Sequence, residues 1–125
     1  MAANNPLFKN IERAAYELPG LFQILGEPSA SVPLTEAQRH AAAAIQSHAG
    51  NAQEVILDGI ETIGHLMSSF TDDYDLDRHH ICNLGMLIKH LAVEADQLRN
   101  SAADMRVILE TDCQRPLTAP RGRQS

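Results

Sequence analysis

At 125 residues the chain has the length of one small domain, and it is poor in aromatics, with two Tyr, three Phe and no Trp. Alanine and leucine take their place, which favours helices over sandwiches or barrels. A formal charge of −6 excludes a sequence-independent DNA or RNA binder and speaks against an anionic membrane surface, since both need a basic face.

The N-terminus "MAANNPLFKN" lacks a basic start followed by an apolar run, so no signal peptide is expected. Residues 1–5 are expected to be disordered, ahead of a single helical domain over 6–113. Asn5-Pro6 reads as a helix start, with Asn as cap and Pro at the first helical position. Leu7, Phe8, Ile11, Ala14, Ala15 and Leu18 then recur at helical spacing, and Pro19-Gly20 reads as a break. "LFQILG" (21–26) is too short for its pattern to separate helix from extended chain. It ends the N-terminal helical segment 6–26, and "EPSASVP" opens the loop 27–34.

A second helix is predicted over 35–70. Thr35 and Gln38 form a capping-box pattern. Ile45, Ala49, Ala52, Ile56, Gly59, Ile63, Leu66 and Phe70 follow in alternating steps of four and three, a heptad rhythm. Leu57, Ile60, Gly64 and Met67 make a second stripe beside it. Gly50-Asn51, with Glu54 three residues on, offers a break, but the seam crosses it in phase and predicts one continuous helix. Gly59, Gly64 and Gly85 are expected to have packing reasons, with Ile88 filling the space beside Gly59, because a helical glycine costs about 1 kcal/mol relative to alanine.

After a turn at 71–75 comes a third helix over 76–111, or from about 74 if the turn's aspartates belong to it. Its seam runs Ile81, Leu84, Ile88, Leu91, Ala95, Leu98, Ala102, Met105 and Leu109 without a polar interruption. Pro116 is a hard stop, and residues 114–125 are expected to be a disordered tail. The predicted fold is all-α: a long antiparallel hairpin of helices about 35–70 and 74–111, plus a shorter N-terminal helix.

The turn carries "TDDYDLDRHH" (71–80), which raises the question of a metal. A calcium loop begun at Asp73 needs glycine at its sixth position and glutamate at its twelfth, where Arg78 and Leu84 stand. The aspartates, with Thr71, Asp72 or Asp73 as cap, fit a hairpin tip facing the positive end of the third helix. His65 and His80 lie roughly level across the tip, and His65, His79 or His80 with a nearby aspartate could hold zinc or nickel. A di-iron bundle needs Glu-x-x-His, which the chain lacks. No nucleophile elbow, phosphate loop or catalytic set is present, and no cofactor is expected. Cys82, with His79 beside it in the helical pattern, reads as a small core residue. With Cys113 it forms no disulfide framework, so a reducing cytoplasm is the expected location.

Two helices bury only one stripe of each, and apolar residues remain: Leu57, Ile60, Met67, Met86, Leu87, Val93, Val107 and Ile108. Each buried Leu or Ile is worth about 1.5–3 kcal/mol, against a net stability of about 5–15 kcal/mol for a small domain. The N-terminal segment covers part of this surface. A second copy of the chain is expected to cover the rest in a dimeric four-helix bundle. The leading functional expectation is a non-enzymatic, cytoplasmic adaptor or regulator that binds another protein through apolar helix faces, without direct nucleic-acid or membrane contact. Phe8, Leu21, Phe22 and Leu25, with Met67 and Met86 as adaptable contacts, are the expected partner-binding residues. One alternative is an acidic inhibitor or anti-activator, whose face of Glu54, Asp58 and Glu61 blocks a basic nucleic-acid-binding protein. The other is a metal-binding bundle using His65 and His80. In general look the chain is similar to short bacterial or phage helical proteins, and no motif assigns it to a family.

Overall fold

The computed structural model describes residues 5–8, 13–69 and 77–116. Its order is α1 (Ala14–Leu25), α2 (Glu36–Ser68) and α3 (Arg78–Gln114). All the regular structure among the described residues is helical. Helices α2 and α3 form the long hairpin, and α1 packs on α2 at its base. Phe70 and the turn expected at 71–75 lie outside the described residues, as do residues 1–4 and most of the tail.

Helix α2 begins as its sequence predicts. Thr35 accepts a hydrogen bond from the Gln38 amide at 3.1 Å, and the Gln38 side chain accepts one from the Thr35 amide at 2.9 Å. The helix then runs 33 residues unbroken through Gly50-Asn51, about 50 Å at a rise of about 1.5 Å per residue. Burying the seam on both sides of Gly50 outweighs the local invitation to stop.

Several boundaries differ from expectation. Helix α1 passes straight through Pro19. The proline removes one hydrogen bond, to the Ala15 carbonyl, but both residues face solvent and water can serve that oxygen. Continuing the helix buries Leu21 and Leu25, and Gly26 ends it with φ at +61°, which glycine alone adopts readily. Pro6 lies in a turn and not at a helix start. Asn5 Oδ1 accepts from the Leu7 amide, and Asn5 Nδ2 donates to the His40 carbonyl at 2.7 Å, tying this turn to α2. The cap of α3 is Asp77, whose side chain accepts from the His80 amide at 3.0 Å, so the helix opens at Arg78 and not at 74–76.

The core sits at the base. Ala41, Ala42, Ala44, Ile45, His48 and Ala49 are all fully buried on α2. Four alanines in this stretch let neighbouring helices approach closely, and Leu21, Leu25 and Met105 complete the cluster. The end of α3 is fastened to the loop before α2. Asp112 accepts from the Leu34 amide at 2.9 Å and pairs with Arg39 at 3.3 Å, while Arg115 donates to the Ala30 carbonyl. These anchors carry α3 to Gln114, beyond the expected end at 111.

Towards the tip the hairpin is only two helices thick. Ile56, Ile60 and Ile63 are half-buried, as are Leu84, Ile88 and Leu91. The glycine expectation fails here: a Cβ placed on Gly59, Gly64 or Gly85 would meet nothing within 4 Å, so Ile88 does not fill the space beside Gly59. Cys82 is exposed and not in the core, because α3 has a single neighbour at that level. No described helix is long and apolar enough to cross a membrane.

Candidate functional site

Helix α1 occupies a groove along the hairpin, and two contacts fix which faces line it. On α2, His48 is fully buried and its Nε2 lies 2.7 Å from Glu17 Oε2 of α1. On α3, Met105 packs in the cluster with Leu21 and Leu25. Phe8 closes the far side of the histidine, with ring centroids 4.6 Å apart. A carboxylate only accepts, so His48 Nε2–H donates to Glu17; His48 Nδ1 is buried with no partner.

The groove outlasts α1. Leu66 lies eighteen residues beyond His48, and Leu87 eighteen residues before Met105. Eighteen residues are about five helical turns, so each leucine repeats its partner's azimuth about 27 Å nearer the tip. Val55 and Gly59 repeat the His48 azimuth closer by, at two and three turns. Here α1 no longer covers them: Val55 is 72%, Leu66 60% and Leu87 47% exposed. At the end of α1 a cleft of about 580 Å³ opens between Ala14, Leu18, Ala52, Val55, Ile56 and Leu98. Carboxylates line it from both helices: Glu54 and Asp58 on α2, and Glu94 on α3, about three turns from Met105. Among the described residues no Lys or Arg pairs with any of them, and Glu94 has only His90, at 3.6 Å.

The expected partner-binding residues divide. Leu21 and Leu25 are in this chain's own core, and Phe8 packs against it and against His48. Phe22, Met67 and Met86 are exposed, at 40%, 41% and 71%. The acidic face of Glu54, Asp58 and Glu61 is exposed, and Glu61 sits 3.6 Å from His65 one turn on. His65 lies near the end of α2 and His80 in the first turn of α3, and both are exposed. His80 pairs with Asp77 at 3.2 Å, and among the described residues no group of three His, Cys, Asp or Glu side chains is placed to hold a metal. The tip aspartates Asp72, Asp73 and Asp75 lie outside the described residues.

Two features escape sequence reading. His48 carries a single faint signal, its phase with Ala41, Ala44 and Ile45 on an alanine-rich face. The half-filled groove becomes visible only when the upper end of α1 is known. Comparison of the chain with family models, curated proteins and solved structures finds no match.

Proposed function

We propose that the chain is a non-enzymatic protein-interaction module that receives a partner's helix in the upper half of the α2–α3 groove. The observation that carries this reading is the phase match: Leu66 and Leu87 repeat the azimuths of His48 and Met105, yet no described element covers them. A helix laid there continues the line of α1 and finds the same kind of seat. Burying what remains exposed of Val55, Leu66 and Leu87, about half to three-quarters of each, contributes about 1–2 kcal/mol apiece, enough to matter for association. Large exposed apolar residues in one line are a mark of such surfaces. The exposed free thiols Cys82 and Cys113 support a reducing, cytoplasmic setting.

The test compares faces of one helix. Tagged full-length protein, Leu66→Asp and Leu57→Asp are used to capture partners, with quantitative mass spectrometry. Leu57 is 49% exposed and lies about two and a half turns from His48, on the opposite side of α2. A partner retained by Leu57→Asp and lost by Leu66→Asp supports the groove; a partner lost equally from both opposes it.

A second reading, the homodimeric four-helix bundle, is favoured by a different stripe. Met86, Val93 and Val107 are 71%, 63% and 60% exposed and fall on a seven-residue rhythm along the outer side of α3. Two such stripes could pair, although Lys89, Asp96 and Glu110 interrupt the neighbouring positions. Light scattering of the full chain and of Val93→Glu distinguishes the readings: a dimer that dissociates on this substitution supports pairing through α3.

A further inference from the structure

Resting on the groove reading above, we infer that the occupant is a basic amphipathic helix of a partner protein. The floor of the upper groove is apolar on the α2 side, where Val55, Gly59 and Leu66 lie, and carboxylates line the cleft from both helices. Glu54 and Asp58 stand along α2 and Glu94 along α3, all at the cleft where α1 ends. A helix with an apolar stripe and Lys or Arg on its flanks satisfies floor and rim together. Arginine or lysine stems also cover apolar surface while their heads reach the carboxylates.

Charge selects against the other occupants. A symmetric pairing of two copies through this groove would bring Glu54, Asp58 and Glu94 against the same three carboxylates, in a chain already carrying −6. A neutral or acidic helix leaves the rim uncompensated. Gly59 marks the floor, since a side chain there would project into open space. That space lets the groove be blocked without touching this chain's own packing.

The probe is a synthetic peptide of about eighteen residues, five helical turns. It carries leucines at helical spacing, lysines on both flanks and one tryptophan. The protein has no tryptophan, so the peptide's fluorescence reports binding alone. The controls are the same peptide with Gln for Lys, with Glu for Lys, and with the lysine version scrambled to destroy its apolar stripe. The full chain binds the Lys peptide about tenfold more tightly than the Gln peptide at low salt, from three surface charge pairs. The advantage shrinks in about 0.5 M salt. The triple variant E54Q/D58N/E94Q removes it but still binds the Gln peptide. Gly59→Met weakens both peptides, and circular dichroism shows its helix content unchanged.

The failures separate. Equal binding of Lys and Gln peptides, blocked by Gly59→Met, overturns the charge inference and keeps the groove. Binding of the scrambled Lys peptide as tightly as the ordered one overturns both, because it reports charge without a seat. Failure of every peptide to bind overturns the groove reading itself. A stable dimer that Gly59→Met dissociates assigns the groove to a second copy and overturns the partner-helix inference.

Discussion

Removing the Glu17 carboxylate tests how α1 is seated. The His48 ring is fully buried, with Nε2 2.7 Å from Glu17 and Nδ1 unpartnered. In Glu17→Ala Nε2 loses its partner too, leaving both ring nitrogens unpaired in a buried site. A hydrogen bond to a charged group is worth about 1.5–3 kcal/mol, and an orphaned buried polar group costs about 1–3 kcal/mol; these describe one event and do not add. Glu17 is 22% exposed at its side chain, so water can partly enter the vacated space, which puts the loss near the lower end, about 2 kcal/mol. Glu17→Gln keeps an acceptor oxygen and costs about half as much. The double variant Glu17→Ala/His48→Leu removes both partners and recovers part of the loss, since an apolar side chain leaves nothing unpaired. The assay is urea unfolding at neutral pH followed by far-ultraviolet circular dichroism. If Glu17→Ala stays within about 0.5 kcal/mol of the parent, or the double variant is less stable than the single, the buried contact does not hold α1.

Asp112 gives a pH signature. The Leu34 amide, then Arg39 and Arg115, hold its carboxyl below the usual 3.8 despite partial desolvation. A carboxyl depressed in the folded state stabilises fully above its unfolded value, and that stabilisation disappears as pH falls from about 3.8 through the lower folded value. Acid unfolding of Asp112→Asn should lack this component, and carboxyl titration by NMR should place Asp112 below its usual 3.8. Gly59→Ala should raise stability by about 0.5–1 kcal/mol in thermal or urea unfolding, because the methyl meets open space and alanine is the better helix former; a loss would mean that the groove floor is already filled. Cys82 and Cys113 should both react with a thiol reagent under native conditions at rates near that of the unfolded chain; protection of Cys82 would show that the upper hairpin is covered.

The hairpin was legible because its signals agree at every level. The capping box at Thr35 and Gln38 forms as written, and the middle of each heptad seam, Ile56 and Ile63 on α2 and Leu84, Ile88 and Leu91 on α3, is half-buried in one pair of helices. Local signals misled wherever tertiary burial opposed them. Pro19 looks like a breaker, but Leu21 and Leu25 gain more from a continued helix than one solvated carbonyl loses. Asp77 caps α3, although Asp72, Asp73 and Thr71 ahead of it offer the same chemistry. The packing role assigned to Gly59 came from reading its seam position as if the groove were filled along its whole length. His48 is not legible as a core residue because burial of a lone histidine depends on a partner thirty-one residues away in sequence. The acidic face was readable from composition and spacing, but its place on the rim of an apolar groove depends on where α1 stops.

The most direct measurement is an NMR footprint of the basic amphipathic peptide on the full-length, isotope-labelled chain. Perturbations should concentrate on Val55, Gly59 and Leu66 of α2 and on Leu87 and Glu94 of α3, while His48, Leu21 and Met105 stay in place. A footprint on Ala41–His48 with release of α1, or one confined to Leu57, Met86 and Val93, would overturn the half-filled groove as the binding surface.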